Sequence, residues 1–520
     1  MAHAISSGNE TDLELADCLE FFADDEHTQV IGCFVEQFRN PDKFLAAADM
    51  CAAARKPIVL LKVGRSEAGQ RAAQAHTGAL VGSDTIIDAV LKKHGVLRVH
   101  SLDQMLETLC IMHAPHLPMG NGFGAITFSG GAVGAMSDLA ADYGLHFPPI
   151  HNAGAQQIRD VLYEYGTVSN PIDLTGQAVS DPPVQRAAFE AMGSDPNIHT
   201  IFIASGGTTC LDKQSPMGEV IAETIQKYPE KLFVRTSQMY GVLRDKAFGA
   251  PDPVEPVNDL NGVPFMQGLE NTLRAAQAHT GALAGSDTII DAVLHKHGVL
   301  RVYSLDEMLE TLCIMHAPHL PMGNGFGAIT FSGGAVGAMS DLAADYGLHF
   351  PPIHEAGAQQ IRDVLYEYGT VSNPIDLTGQ AVYDPPVQRA AFEAMGSDPN
   401  IHTIFIASGG TTCLDKQSSM GKVITETMQK YPEKLFVRTS QMYGILRDKA
   451  FGAPDPVEPV SDLDGIPFMQ GLENCLRAAR ALVQYAEFQR QRNKDTRDNP
   501  EREDTSRRRQ ALEIVRAAQG

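Results

Sequence analysis

The chain contains most of its own sequence twice. Residues 71–273 (copy 1) return as residues 274–476 (copy 2) with about 15 differences, at a constant shift of 203 positions. Arg71–Leu80, for example, reappears unchanged as Arg274–Leu283. Solenoid repeats have periods of roughly 20–50 residues, so a duplicated gene segment explains this pattern better. Residues 1–70 occur only once, and a site that needs them together with the repeat should be complete once.

Composition excludes several classes of protein. Among the 520 residues 43% are apolar and 20% charged, which is ordinary for a globular chain long enough for three or four domains. The net charge of −22 argues against nucleic-acid binding, which needs clustered Lys and Arg. We find no apolar run of about 18 residues and no leader-like N-terminus. The sequence therefore predicts a cytoplasmic protein that contacts neither nucleic acid nor membrane.

Short apolar strands alternate with amphipathic helices along the first 115 residues. Thr28–Val35, Lys56–Lys62 and Val96–Val99 read as strands, with helical spacing between and after them. Such alternation is typical of a parallel sheet covered by helices on both faces. Prolines and glycines between positions 115 and 122 mark a boundary, after which the same alternation begins again.

We therefore predict an α/β protein built from tandem doubly wound parallel-sheet domains. The first two domains are expected at residues 1–115 and 120–273. Residues 274–319 would be a partial copy of the first domain, and residues 320–476 a full copy of the second. The remainder, 477–520, reads as a charged linker followed by the start of a further domain.

Three constellations could carry chemistry. His76 lies in a glycine-punctuated segment after a strand and the loop Gly64-Arg65-Ser66, at the carboxyl edge where open α/β sheets bind ligands. Ser129-Gly130-Gly131 joins a strand to a helix, so its backbone N–H groups and the helix dipole could hold an anion. Glu36 ends a strand and could orient a nearby histidine. Each has a structural alternative: a hydrogen-bonded loop histidine, a tight turn and a solvated acid.

The remaining His and Cys residues do not predict a metal site. His113 and His116 are close in sequence, as are His295 and His297, but position 295 corresponds to Lys92 in copy 1. The eight cysteines form no C-x-x-C pair and are expected to be reduced thiols. We therefore expect no metal ligands of this chain's own.

Taken together, the motifs resemble the NDP-forming acyl-CoA synthetases, relatives of succinyl-CoA synthetase that include ADP-forming acetate–CoA ligases and feruloyl-CoA synthetases. The resemblance rests on the order of motifs along the chain, which are Ser6–Glu10, the strand ending at Glu36, Lys56–Ser66, Ala75–Asp84, Phe128–Gly131 and Asn170–Asp173. It implies succinyl-CoA ligase-like, flavodoxin-like domains.

The resemblance also implies a mechanism. In this family an acid, CoA and ATP interconvert with acyl-CoA, ADP and phosphate through a phosphorylated histidine. His76 matches that histidine, and Glu36 matches the acid that pairs with it. Phosphate binding is implied for Ser129, Gly130 and Gly131, and for Gly8 and Asn9. Among the second-copy equivalents, His279 and the helix start Ser332, Gly333 and Gly334 are expected to be silent or partial, since residues 1–70 were not copied.

The resemblance further implies partners. CoA, ATP or ADP, and Mg²⁺ belong to the complete enzyme, and we expect the CoA-binding and ATP-grasp domains to come from other chains. The isolated chain, an acid–thiol ligase component that acts on a small carboxylic acid, should then be inactive alone. A homo-oligomer is possible. The alternative is a non-catalytic remnant or binding subunit that keeps the ligase fold.

Overall fold

The computed structural model describes a large part of the chain, and the structural statements below concern that part. The described residues are 2–8, 10–66, 84–114, 120–164, 166–205, 215–237, 263–280, 299–302, 304–315, 317, 319–366, 369, 371–408, 418–441, 466–469 and 471–498.

The first sheet has three parallel strands in the order β1-β2-β3, which are Ile31–Val35, Ile58–Lys62 and Val96–Val99. The helices of this region are Leu15–Asp24, Pro41–Ala53, Asp84–Lys93 and Leu102–Met112. We call residues 10–66 together with residues 84–99 the N-terminal unit. Local signals define its helices: the Asn40 side chain accepts a hydrogen bond from Lys43 N, and Pro41 occupies the first turn.

Each copy then forms a five-stranded parallel sheet of the same topology. In copy 1 the order is β5-β4-β6-β7-β8, with strands β4 to β8 at Phe123–Thr127, Ile172–Asp173, Thr200–Ser205, Leu232–Ser237 and Phe265–Gln267. In copy 2 the order is β10-β9-β11-β12-β13, with strands β9 to β13 at Phe326–Thr330, Ile375–Asp376, Thr403–Ser408, Leu435–Ser440 and Phe468–Met469.

The helices of the two copies also correspond. Those of copy 1 are Gly130–Asp142, Asn152–Arg159, Pro182–Gly193, Pro216–Lys227 and Leu269–Thr280, the last of which crosses into copy 2. Those that follow are Leu305–Met315, Gly333–Asp345, Glu355–Arg362, Pro385–Ser397, Ser419–Lys430 and Leu472–Asp498. The fold class predicted from the sequence, tandem parallel-sheet α/β domains, is confirmed.

The two faces of the first sheet pack against different parts of the chain. On one face Ile58 and Leu60 pack in a core with Leu19 and Phe44, from the unit's own helices. On the other face Val59, Leu61 and Val63 join a core that contains Ala338, Met339 and Leu342 from copy 2. The sheet is thus covered on both sides, as predicted, but a helix nearly 300 residues away in sequence supplies part of the second cover.

That cover is the helix Gly333–Asp345, which we call the copy 2 glycine helix. Its equivalent, the copy 1 glycine helix Gly130–Asp142, has the identical sequence. The helix Leu102–Met112 completes the cover, since Leu109 Cδ1 would lie 2.8 Å from a Cβ added to Gly32 of β1. The first sheet is therefore held between helices of its own predicted domain and one helix, the copy 2 glycine helix, that the sequence assigns to another domain.

The copies meet through their last helices, Leu269–Thr280 and Leu472–Asp498. Arg274 Nη1 lies 2.7 Å from Glu473 Oε1, and Arg477 Nη1 lies 2.8 Å from Glu270 Oε1; all four side chains are largely buried. Burial alone would raise the pKa of the Glu473 carboxyl, but Arg274 and Arg477 hold that pKa at about 2, below its ordinary 4.5. The ion pairs thus keep buried carboxylates charged between the copies.

The structure differs from the sequence-based expectation at the end of copy 2. The segment from residue 477, expected to be a charged linker, continues the helix Leu472–Asp498 as far as Asp498. Its Ala, Leu, Gln and Arg residues have high helix propensity, which the charge pattern concealed. Among the described helices, none combines the length and apolar character needed to cross a bilayer.

Candidate functional site

The start of the copy 2 glycine helix lies beside the end of β1. A Cβ added to Gly334 would lie 2.6 Å from Phe34 Cε1, so the absence of a side chain lets the Phe34 ring lie against the start of the helix. Ser332 is the N-cap residue in extended conformation, and its side chain makes no capping hydrogen bond. The first backbone N–H groups of a helix have no partner within the helix, which gives this helix start the character of an anion site.

Glu36 follows directly after β1, at the same edge of the sheet. Its side chain is half-buried. The neighbouring strand β2 ends in register with β1, because Val35 pairs with Lys62 and Val63 N donates to Val35 O at 3.0 Å. The carboxylate predicted from the sequence and the end of the strand that leads toward His76 therefore share one edge. His76 itself lies outside the described residues.

The segment after β2 is held by a carboxylate of the copy 2 glycine helix. Asp341 is only 3% exposed and accepts hydrogen bonds from Gly64 N at 2.8 Å, Arg65 N at 3.1 Å and Ser66 N at 2.8 Å. The Ser66 hydroxyl donates to the same carboxylate at 2.7 Å. Several hydrogen bonds to one carboxylate fix the position of the backbone that donates them. The path of the chain as it enters the His76 segment is thus set by copy 2.

A second ion pair supports this attachment. The Arg65 guanidinium donates two hydrogen bonds to Asp345, one turn further along the same helix, of which the Nη1–Oδ1 bond measures 2.9 Å. Bidentate Arg–carboxylate pairs fix geometry as well as charge. Sequence reasoning placed Arg65 in the loop but missed Asp341 and Asp345, because the same residues occur as Asp138 and Asp142 in copy 1 and nothing local distinguishes the two helices.

The copy 1 helix start, Ser129-Gly130-Gly131, has a different environment. Gly130, Gly131 and Asp138 are exposed. Among the described residues, a Cβ on Gly134 would meet no atom within 4 Å, whereas one on Gly337 would lie 3.3 Å from the Val63 side chain. The N-terminal unit therefore packs on the helix whose start was expected to be silent, and the start that the sequence favoured has an open face.

The Asn-Pro-Ile-Asp motif shapes the sheet edge beside the copy 1 glycine helix. The Asn170 amide donates to Phe123 O at 2.7 Å and to Pro148 O at 2.8 Å, and so ties β4 to the following loop. The Asp173 carboxylate accepts from Thr175 N at 2.7 Å, where Thr175 has a φ of 71°. Copy 2 repeats the same bonds at equivalent positions. These contacts indicate a structural role for the motif.

Three further predicted residues lie away from this arrangement or cannot be located in it. Gly8 occupies an exposed turn with a φ of 57°, and Asn9 lies outside the described residues. His279 falls within the helix Leu269–Thr280. Its backbone is thus helical, in contrast to the glycine-punctuated loop that the sequence predicts for His76. The roles of Gly8, Asn9 and His279 stay predictions.

Comparison with known proteins supports the family resemblance. Residues 1–112 and 267–315 match the family described as succinyl-CoA ligase like flavodoxin domain. The chain is 30% identical over 280 residues to the acetate–CoA ligase [ADP-forming] I subunit alpha of Pyrococcus furiosus, covering 54% of this chain and 58% of that protein. It is 27% identical over 339 residues to a trans-feruloyl-CoA synthase from an unknown prokaryotic organism, covering 61% of this chain and 45% of the relative.

A solved structure is also similar. The dinucleotide forming acetyl-coenzyme A synthetase 1 of Candidatus Korarchaeum cryptofilum, in complex with phosphate and ADP, is 23% identical, with a TM-score of 0.44. The alignment covers 53% of this chain and 57% of that one.

The chain spans about half the length of the relatives it matches, so their complete activities cannot be transferred to it directly. The matched family nevertheless includes the N-terminal unit, which contains Glu36 and the strand leading toward His76. The chain is thus similar to ADP-forming acetate–CoA ligases and feruloyl-CoA synthases, and residues 1–112 and 267–315 match the succinyl-CoA ligase like flavodoxin domain.

Proposed function

We propose that this chain carries the phosphohistidine step of an NDP-forming acyl-CoA synthetase. In the proposed reaction a ring nitrogen of His76 takes the terminal phosphoryl group of ATP, and ADP leaves. The phosphoryl group then passes to the carboxylate of a small acid, and the thiol of CoA displaces phosphate to give acyl-CoA. Domains of the ATP-grasp and CoA-binding types would supply the nucleotide, Mg²⁺ and CoA sites, as partner chains or subunits.

One observation supports this proposal above the others. The copy 2 glycine helix starts beside the strand that ends at Glu36, and the same helix holds the backbone of Gly64, Arg65 and Ser66. An anion held at that start would gain from the helix dipole and from unpaired N–H groups. A carboxylate near the histidine would orient the ring and stabilise its positive charge.

The contacts favour Ser332–Gly334 over Ser129–Gly131 as the phosphate-holding helix start. Only the copy 2 start has a described contact with the strand that carries Glu36, whereas the copy 1 start is largely exposed. The two starts have the same sequence and therefore the same intrinsic capacity to bind an anion. The two helix starts differ in that only the copy 2 start has a described contact with the N-terminal unit.

The test is labelling of the full chain with ATP in the presence of cognate ATP-grasp and CoA-binding proteins. We expect acid-labile phosphate at residue 76, located by mass spectrometry. His76→Ala should abolish the label and His279→Ala should not. Glu36→Gln should slow labelling by roughly tenfold or more, because the ring loses its orienting charge.

A matched pair of variants separates the two helix starts. Ser332→Asp puts a negative charge at the copy 2 start and should reduce labelling, while Ser129→Asp should leave it near the wild-type level, since a carboxylate repels phosphate only nearby. Labelling that survives His76→Ala would refute the proposal. A chain that is never labelled but still binds its partners would instead be a non-catalytic binding subunit.

A further inference from the structure

The contact between the two copies has the geometry of a two-fold symmetric dimer. Arg274 of the helix Leu269–Thr280 pairs with Glu473 of the helix Leu472–Asp498, and Arg477 of the second helix pairs with Glu270 of the first. Arg274 and Glu270 correspond to Arg477 and Glu473 at the shift of 203 residues. A contact in which residue i meets j and j meets i is isologous. The single chain therefore contains an internal pseudo-dimer.

The helices Leu102–Met112 and Leu305–Met315, which precede the five-stranded sheets, are related by the same symmetry. Leu106 and Cys110 of the helix Leu102–Met112 pack with Leu309 and Cys313, their equivalents in copy 2. A surface used on one side of this pseudo-dimer should consequently have a counterpart on the other side. The N-terminal unit breaks the symmetry, because it occurs once and packs on the copy 2 glycine helix.

The counterpart surface is open on the copy 1 glycine helix. Its Gly134 has space around it and its Asp138 is exposed, whereas Gly337 contacts Val63 and Asp341 holds the segment after β2. Because the two helices are identical, every group that receives the N-terminal unit on copy 2 is also present on copy 1.

A second, independent observation lies at the entry to copy 2. Val96 of β3 is 4% exposed, but its equivalent Val299 is 51% exposed. Leu109 packs against β1 at Gly32, but its equivalent Leu312 is 52% exposed. Leu312 is thus the side chain that β1 of a second N-terminal unit would cover, whereas Val299 corresponds to β3, which such a unit would carry itself. Exposed apolar groups at equivalent positions of a symmetric body indicate an interaction surface.

We propose that the copy 1 glycine helix, with Leu312, is a docking surface for a second N-terminal unit supplied by another polypeptide. The occupant is a flavodoxin-type sheet with the chemistry of this chain's own unit. It would place an aromatic ring over Gly131 and a β-branched side chain over Gly134. A Gly-Arg-Ser loop would then donate its backbone N–H groups to Asp138.

The source of the occupant follows from counting surfaces. Each chain has one N-terminal unit and two glycine helices, so exchange between copies of this chain leaves one helix per chain open. A partner that carries its own succinyl-CoA ligase-like flavodoxin unit would cover the helix that remains open. The bound state buries the apolar face and Asp138 as on copy 2, where the same contacts are seen.

The experiment uses full chains as donor and acceptor. The donor carries Gly134→Leu and Gly337→Leu, which block both of its own glycine helices and leave its N-terminal unit free. The acceptor is the wild-type chain, immobilised, whose copy 2 helix is already covered. We expect the donor to bind the wild-type acceptor at least about tenfold more tightly than an acceptor with Gly134→Leu alone, since overpacking a contact costs roughly 1–3 kcal/mol.

A second donor guards against misfolding of the first. Asp138→Lys with Asp341→Lys should release the unit through charge repulsion rather than bulk, and circular dichroism should confirm that both donors keep their helices. The matching control acceptor carries Asp138→Lys. Equal binding to wild-type and control acceptors by a folded donor would overturn the proposal, as would no binding by either folded donor. Neither outcome depends on histidine phosphorylation, so docking and the proposed function fail separately.

Discussion

The two glycine helices have one sequence and two environments. Their N-caps have nearly the same geometry, with φ and ψ of −151° and 123° at Ser129 and −153° and 124° at Ser332. The same local hydrogen bond recurs, from Ser137 Oγ to Val133 O and from Ser340 Oγ to Val336 O, at 2.8 Å in both. Yet Ser137 is exposed and Ser340 is buried. Local sequence therefore determines the helix, and the N-terminal unit determines which helix becomes an interface.

The largest difference between the helices should come from their central aspartates. Asp341→Ala removes the acceptor for Gly64, Arg65 and Ser66, and we expect it to lower the free energy of unfolding by about 3 kcal/mol, because buried donors lose their charged partner. Asp138→Ala changes an exposed side chain and should stay within about 0.5 kcal/mol of wild type. Urea titration measures both variants.

Amide hydrogen exchange at residues 64–66 sharpens this prediction. Exchange there should accelerate in Asp341→Ala and remain unchanged in Asp138→Ala, since the protecting hydrogen bonds run to copy 2 only. Equal effects of the two substitutions would mean that the N-terminal unit does not distinguish between the helices.

Unlike the two glycine helices, the two buried ion pairs between the copies should contribute equally to stability at low pH. The folded-state pKa of Glu473 is about 2, below its ordinary 4.5, so its contribution to stability is full above pH 4.5 and is lost as the pH falls toward 2. We expect about 3 kcal/mol of unfolding free energy to disappear in this range. Arg477 and Arg274 also lower the pKa of Glu270 against the effect of burial, so it contributes with the same sign.

Urea titrations between pH 5 and pH 2 measure this effect. Glu473→Gln and Glu270→Gln should each flatten the acid limb, to a similar degree, because the two residues are related by the pseudo-two-fold axis. Glu355→Asn restores the copy 1 residue at an exposed position and serves as the control. A flattening by only one of the buried glutamates would show that the copies do not meet symmetrically.

The smallest expected difference concerns one methyl group on each helix. Gly134→Ala meets open space and should stabilise the protein by roughly 0.5–1 kcal/mol through helix propensity. In Gly337→Ala the new Cβ lies 3.3 Å from Val63, tighter than ordinary contact, and this crowding should cancel or reverse that gain. Thermal unfolding of the two variants gives the comparison. Identical stabilisation by both would indicate that the copy 2 contact is loose.

Much of the fold could be predicted from periodicity and end signals. The strand Val96–Val99 has the bounds expected from the sequence, because a short apolar run defines it. The two-residue strand Ile172–Asp173 was not expected, since so short a segment has no periodicity. Helical propensity beyond residue 477 was likewise hidden by its charge.

The candidate site was predictable only in part, for a physical reason. Glu36 follows a strand and can be located at a sheet edge from the strand pattern alone. The contact of Gly64, Arg65 and Ser66 with Asp341 spans about 275 residues and depends on tertiary packing. Since Asp138 has the same neighbours in sequence as Asp341, no local rule could select between the two. Because the duplication gives both glycine helices the same sequence, the sequence alone cannot show which of them contacts the segment after β2.

The separation between β2 and its cover has a consequence for synthesis. Val59, Leu61 and Val63 leave the ribosome long before the copy 2 glycine helix, on the order of tens of seconds earlier at roughly 5–20 residues per second. The copy 1 glycine helix emerges first and offers the nascent sheet an identical surface. The order of emergence thus presents the copy 1 glycine helix to the nascent sheet before the copy 2 glycine helix that covers it in the finished protein.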